Sequence, residues 1–418
     1  MSGAARGALG INGLGRIGKL TVWHHVARRH FPHLVVNLGR GVGKDLEAVC
    51  DVIAHDSTYG RLHRFLHGLN AKPCVHIADR ERNVIDVDGT LVTILQDARD
   101  PRDIAWRDNG VRVVVDTTGA FDDPTRAVDD PKGSLRGHLW AGAEKVIYSA
   151  AFKAKQAVPD DVATLVYGIN HEAFDPARHH LISAASCTTT ALAHMVKPLL
   201  EALGPRSFMT ASMSTVHAAT NSQSLLDSVP KAGASDMRKT RSALNSIILT
   251  STNAATALEQ AIPDIGQIGF MADSVRIPLP TESLIILNVT VQSPQPVSED
   301  ERPAINRDTI NGIYREAAGP GGPGLIAFSE RQNVPADVSG MRAAVVIESV
   351  ETHTRTGFVT VDLAALPGIP YAVLESLEDT EVRVPVTHAK IFGWYDNEYG
   401  SYTNMLGDLT CHVADRLD

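Results

Sequence analysis

The six residues Gly13-Leu14-Gly15-Arg16-Ile17-Gly18 constrain this chain more than any other stretch. They follow a short apolar run, Ala8–Asn12, and open a stretch of helical character that reaches about Arg29. A second apolar run, His33–Asn37, comes next. Strand, glycine turn, helix and strand in this order open a dinucleotide-binding unit. Gly13 allows the tight turn, Gly15 lets the backbone approach a pyrophosphate at the helix N-terminus, and Gly18 lets helix and strand pack closely. The structural alternative is a glycine turn with no ligand, and the motif alone does not exclude it. The flanking strand and helix favour the nucleotide.

Further apolar runs, Val111–Asp116, Lys145–Ser149 and Leu181–Ala184, read as buried parallel strands. Strands alternating with helical stretches predict a doubly wound α/β sheet over residues 1–185. From Cys187 to Leu203 the spacing of Ala191, Leu192, Met195, Val196, Leu199 and Leu203 predicts a helix, with a kink expected at Pro198. Longer alternating runs, Phe208–Val216 and Leu284–Val291, predict an antiparallel or mixed sheet. Gly319–Gly324 reads as a loop, and Tyr402–Leu417 as a helix able to pack back on the first unit. The fold class expected is α/β: a dinucleotide-binding domain over 1–185, an α+β catalytic domain over 186–396 and a returning C-terminal helix over 397–418.

At 418 residues, two domains are expected more readily than one. A net charge of -9 argues against non-specific nucleic-acid binding, which needs a basic surface. The four cysteines, Cys50, Cys74, Cys187 and Cys411, lack CxxC spacing, so neither a disulfide framework nor a zinc site is expected, and no other metal. Met1–Gly10 has no basic segment before an apolar run, and no uncharged run reaches membrane-spanning length. The expected location is cytoplasmic, without membrane or nucleic-acid partners.

Cys187 lies in Ser186-Cys187-Thr188-Thr189-Thr190, just ahead of the predicted helix. The positive end of a helix dipole lowers a thiol pKa and favours thiolate, and the threonines offer hydroxyls to a substrate or a phosphate. The alternative is a buried structural cysteine. His217, in Thr215-Val216-His217-Ala218-Ala219-Thr220, ends a run of strand character from which it could reach a thiol. As one of 17 histidines it could equally be a core or surface residue.

These pieces occur together in one known family. Ile11–Gly18 resembles the opening of glyceraldehyde-3-phosphate dehydrogenase, Ser183–Thr190 its active-site segment and Ser214–Ala218 the segment of its catalytic histidine. Arg276-Ile277-Pro278 is similar to its substrate-phosphate segment, and Trp394-Tyr395-Asp396-Asn397-Glu398 to its C-terminal signature. The resemblance runs in order from about residue 9 to residue 413. It implies a phosphorylating aldehyde oxidation. Cys187 would attack the aldehyde to give a hemithioacetal, which passes a hydride to the nicotinamide and becomes a thioester. Inorganic phosphate would then release an acyl phosphate, with His217 as acid/base. It implies cofactor contacts at Gly13, Leu14, Gly15, Arg16, Ile17, Gly18, Arg99, Thr118, Ser149 and Asn397. It also implies substrate or phosphate contacts at Ser186, Thr188, Thr220, Ser222, Lys239, Thr252, Asn253 and Arg276. A homotetramer is implied too. Neighbouring readings are the same chemistry on erythrose 4-phosphate, or a non-catalytic regulatory paralogue.

Several positions depart from the family pattern. Asn37 is followed by Leu38-Gly39-Arg40, where a ribose-binding carboxylate is common, so NADP becomes as acceptable a cofactor as NAD. Arg40 could meet the NADP 2′-phosphate, or be a solvated loop arginine. Asp45 is the carboxylate that could restore NAD selectivity. Asn253 stands for a usual glycine, Lys239 for an arginine, Ser401 for a tyrosine and Ala151 for a proline. Extra residues concentrate between about 351 and 385, with a surface hairpin or an oligomer contact expected there.

Overall fold

The computed structural model describes residues 7–154, 156–294, 304–320 and 324–417. Residues 1–6 of the N-terminal reading and 321–323 of the Gly319–Gly324 loop lie outside the described residues.

The first sheet contains β1 (Ala8–Asn12), β2 (His33–Asn37), β3 (Val75–Asp79), β4 (Val84–Val87), β5 (Thr90–Leu95), β6 (Val111–Asp116), β7 (Lys145–Tyr148), β8 (Val162–Thr164) and β9 (Leu181–Ser183). Their order is β8-β9-β7-β6-β1-β2-β5-β4-β3. β1 lies between β2 and β6, parallel to both. Strands buried on both faces read as near-continuous apolar runs, which is why β1, β6 and β7 are legible in the sequence. At one edge, which the sequence reading left unassigned, β3, β4 and β5 form antiparallel pairs. Their alternating, half-exposed side chains carry little periodic signal.

Helix α1 (Arg16–Arg28) packs on this sheet through Leu20, Trp23 and Val26. Helix α2 (Leu46–Ala54) begins at Asp45, whose carboxylate accepts from Ala48 N at 3.2 Å. Helix α3 (Cys187–Leu203) then leads to the second sheet. It runs through Pro198 as one element, because the ring costs a single internal hydrogen bond and Leu192, Met195, Val196 and Leu199 are buried on the sheet below.

The second sheet comprises β10 (Phe208–Ala218), β11 (Ile248–Thr250), β12 (Gly269–Ile277), β13 (Ser283–Gln292), β14 (Ile326–Ser329), β15 (Val345–Glu348), β16 (His353–Asp362) and β17 (Glu381–Tyr395). The order is β11-β12-β10-β13-β17-β15-β14, with β16 paired to β17. It is mixed: β10 is parallel to β12 and antiparallel to β13. Helices α4 (Ala254–Ala261) and α5 (Arg307–Ala317) pack beside α3. The extra residues form a largely exposed hairpin, β16 with the first part of β17.

Helix α6 (Ser401–Asp415) returns to α1 and joins its core through Leu406, Leu409 and Val413. Gly407 permits this approach, since a Cβ there would lie 2.7 Å from Arg28 Cζ. Arg28 in turn reaches Asp408 at 2.8 Å.

Candidate active site

The end of β9 and the start of α3 set the position of Cys187. Ala185 adopts φ 57°, a left-handed conformation that folds the chain sharply between strand and helix. Tyr402 pins this turn from α6, its hydroxyl donating to Ala185 O at 3.0 Å and to Ser149 O at 2.6 Å. Ser186 caps the helix, accepting from Thr189 N at 3.1 Å. Cys187 is thus the first helical residue. Its Sγ lies 3.5 Å from His217 Nε2 on β10. His217 Nδ1 is 2.8 Å from Ala218 O. A carbonyl can only accept, so Nδ1 carries the proton and Nε2 is free to take the thiol's.

The register of β10 and β12 places Arg276 directly beside His217. Arg276 donates one Nη1 bond to Ala218 O at 3.2 Å, and its Nε has no partner among the described residues. Most of its donor fork is therefore available to an anion.

The expectation that the helix end alone yields a thiolate needs correction. Burial pushes the Cys187 thiol up, and the pull of Arg276 and Thr188 in the other direction is smaller. Burial, with Arg276 second, holds His217 down to about 3. Each group alone resists its charged form. One proton passing across the 3.5 Å contact creates both charges together, so the pair is the unit that ionises.

The hydroxyl cluster is only partly assembled. Thr188 Oγ1 is engaged 2.9 Å from the Tyr395 hydroxyl, which also lies 2.8 Å from Thr215 Oγ1. Thr220 and Ser222 are 2.9 Å apart through their hydroxyls. Thr252 Oγ1 accepts from Ala254 N at 3.2 Å. Asn253 is the N-cap of α4 but makes no side-chain cap bond, and it lines a separate cavity with Phe152, Lys153 and Gln260. Lys239 is exposed on a 3₁₀ turn.

The glycine loop has the shape its three roles require. Gly13 takes φ 97°. A Cβ on Gly18 would stand 2.1 Å from Gly13 O, whereas one on Gly15 would meet nothing within 4 Å. The packing glycine is closed and the ligand-facing glycine is open, which fits a bound dinucleotide. Leu14 and Ile17 are partly buried on the core of the first sheet. Arg16 turns away to Glu398 at 2.6 Å, tying the loop to the C-terminal signature. Beyond β2, Asn37, Leu38, Gly39, Arg40, Arg99 and Thr118 line one cleft with Gly13. Asp45 is not among its lining residues, being spent on the α2 cap. Asn397 is buried and accepts from Ser283 Oγ at 3.3 Å.

Sequence reasoning assigned no role to several residues that hold this site. Tyr395 presents its ring to His217 in an edge contact at 6.0 Å. Tyr59 stacks on Tyr399 and donates to Glu398 at 3.0 Å. Under the glycine loop, Asn37 donates to Asn12 at 2.8 Å, Asn12 to Asp116 at 2.8 Å, and Asp116 lies 3.1 Å from His138. The C-terminal signature contains Tyr395 and Glu398, and the glycine-loop motif contains Asn12. The others come together from strands far apart in sequence.

Comparison with known proteins points to one family. Residues 8–124 match the family described as glyceraldehyde 3-phosphate dehydrogenase, NAD binding domain, and residues 186–363 match its C-terminal domain. The glyceraldehyde-3-phosphate dehydrogenase of Streptomyces coelicolor is 32% identical over 420 aligned residues, covering 98% of this chain and 99% of that protein. Glyceraldehyde-3-phosphate dehydrogenase 1 of Streptomyces avermitilis is 34% identical, with the same coverage of each chain. The enzyme of Geobacillus stearothermophilus is 30% identical over 98% of both. The chain belongs to the glyceraldehyde-3-phosphate dehydrogenase family.

Proposed function

We infer that this chain oxidises glyceraldehyde 3-phosphate to 1,3-bisphosphoglycerate, using NAD or NADP and inorganic phosphate. The observation that carries the reading is the Cys187 thiol 3.5 Å from His217 Nε2, with Arg276 beside it on the next strand. His217 takes the thiol proton as sulfur bonds to the aldehyde carbon and returns it to the former carbonyl oxygen, giving a hemithioacetal. The nicotinamide, when bound, supplies the two-electron acceptor. His217 removes the hemithioacetal hydroxyl proton during oxidation to the thioester. A phosphate oxygen then attacks the carbonyl carbon, the carbon–sulfur bond breaks, and the thiolate is regenerated. Arg276, aided by Thr220 and Ser222, holds the substrate phosphate, while Thr252 and the open N-terminus of α4 hold the incoming phosphate.

Gly13, Gly15 and the first turn of α1 would hold the pyrophosphate, Arg40 and Arg99 the adenosine end, and Asn397 the nicotinamide carboxamide. The absence of a carboxylate in the cleft beyond β2 supports use of NADP beside NAD. The division after residue 185 is supported by the two separate sheets, and the one after 396 by α6 joining the core of the first sheet. A homotetramer is supported by exposed apolar side chains such as Leu225, Val229 and Ile247. No helix of the described residues is long and apolar enough to cross a membrane. A cytoplasmic location is the reading that unpaired cysteines support. The test is dinucleotide reduction with glyceraldehyde 3-phosphate and with erythrose 4-phosphate, with and without inorganic phosphate. Phosphate-dependent turnover, faster on the triose, is expected. Turnover with neither aldehyde would overturn the reading.

A further inference from the structure

Glu282 combines two unfavourable features in one residue. Its backbone takes φ 70°, a left-handed conformation that is costly for a residue with a Cβ. The residue is 1% exposed, and neither carboxyl oxygen makes a hydrogen bond of full geometry among the described residues, although the Ser339 hydroxyl and the Asp396 carboxyl lie near it. Either feature alone could be incidental. A site that keeps both invites a functional account, because a glycine would relieve the backbone and remove the buried carboxyl at once.

Its position supplies that account. Ser283 pairs with Tyr395 in the β13–β17 register, so the next residues outward are Glu282 on one strand and Asp396 on the other. Asp396 is also buried and holds the turn after β17 together. Its two oxygens accept from the backbone N–H groups of Gly340, Glu398, Tyr399 and Gly400, at 2.7–3.0 Å. Asn397 rides on this turn and is tethered to Ser283 Oγ. We propose that Glu282 is a positioning residue: its side chain, wedged against Asp396, sets the turn that presents Asn397 to the dinucleotide. This rests on the reading of Asn397 as a nicotinamide-binding residue.

The groups facing Glu282 are Asp396 and Glu398 from the turn and Ser339, which caps the short helix at Pro335–Val338. Glu398 is already paired with Arg16 and Tyr59, so no cation is left for Glu282 among these neighbours. Burial first, then Asp396, pushes its carboxyl up to about 9. Near neutral pH it is therefore a neutral wedge. Once ionised it repels Asp396, loosens the turn and displaces Asn397.

The test is calorimetric titration of the full-length parent, Glu282→Gln and Glu282→Gly with NAD, and with NADP, from pH 7 to pH 10. Thermal melts and steady-state kinetics accompany it. In the parent, the dinucleotide Kd should rise above about pH 9 with a slope approaching tenfold per pH unit, the limit for one coupled proton. Glu282→Gln, a neutral isostere, should match the parent at pH 7 and lack the alkaline rise. Glu282→Gly should melt at a higher temperature yet bind several-fold more weakly at pH 7, raising KM for dinucleotide with kcat within about twofold. Parent and Glu282→Gln binding that track each other at every pH would overturn the proposal alone. So would a Glu282→Gly variant that binds like the parent. A parent that binds neither dinucleotide would overturn the underlying cofactor reading as well.

Discussion

Residue chemistry turns on a thiol and an imidazole that each resist charging alone. His217→Asn should therefore do more than slow turnover by about 10²–10⁴. It should leave Cys187 without its proton acceptor, so alkylation by iodoacetamide should move to higher pH than in the parent. An unchanged alkylation profile would mean that another group accepts the proton. Arg276→Leu should damage use of a phosphorylated aldehyde far more than use of an unphosphorylated one, and equal losses would make the arginine a folding residue. Glu282 bears on stability with a definite sign. Its folded carboxyl holds a proton from its ordinary value of 4.5 up to about 9, whereas the unfolded chain releases it near 4.5. The folded state binds more protons over that window, so stability falls as pH rises through it. Melting temperature should decline more steeply across pH 4.5–9 in the parent than in Glu282→Gln, and parallel declines would contradict this.

Among the elements, the glycine loop was the most legible, because each glycine answers a separate steric demand. Gly18→Ala would push a methyl carbon into Gly13 O, and a loss of about 1–3 kcal/mol of stability is expected from chemical denaturation. The parallel strands were legible as apolar runs. The β3–β4–β5 edge was not, since half-exposed antiparallel strands lack that run. The left-handed turn at Ala185 was also hidden, because alanine carries no signal for positive φ. Cys187, His217 and Arg276 were readable as motif residues, but the adjacency of His217 and Arg276 depends on the β10–β12 register and that of Cys187 and His217 on a contact between helix and strand, long-range pairings with no local signature. Beyond β2, Arg40→Ala should raise the KM for NADP selectively, and Leu38→Asp should shift preference toward NAD. An enzyme with no NADP turnover would show that the cleft lacks this function.

At the scale of the whole molecule, α6 links the two sheets to the site. It buries Leu406, Leu409 and Val413 beside α1 while Tyr402 holds the turn ahead of Cys187. Tyr402→Phe removes two hydroxyl contacts without changing the core volume, so activity should fall more than thermal stability does. The exposed Val229 and Ile247 suggest a further check. Light scattering should give the mass of four chains, and Val229→Asp should lower it. A monomeric parent would contradict the assembly proposed.

The most direct measurement is the mass of the Cys187 peptide after a single turnover quenched without phosphate. With glyceraldehyde 3-phosphate and dinucleotide present, Cys187 should carry the 3-phosphoglyceroyl group as a thioester, and added inorganic phosphate should discharge it before quenching. An unmodified Cys187 under turnover conditions, or an adduct that phosphate does not remove, would contradict covalent catalysis through this thiol.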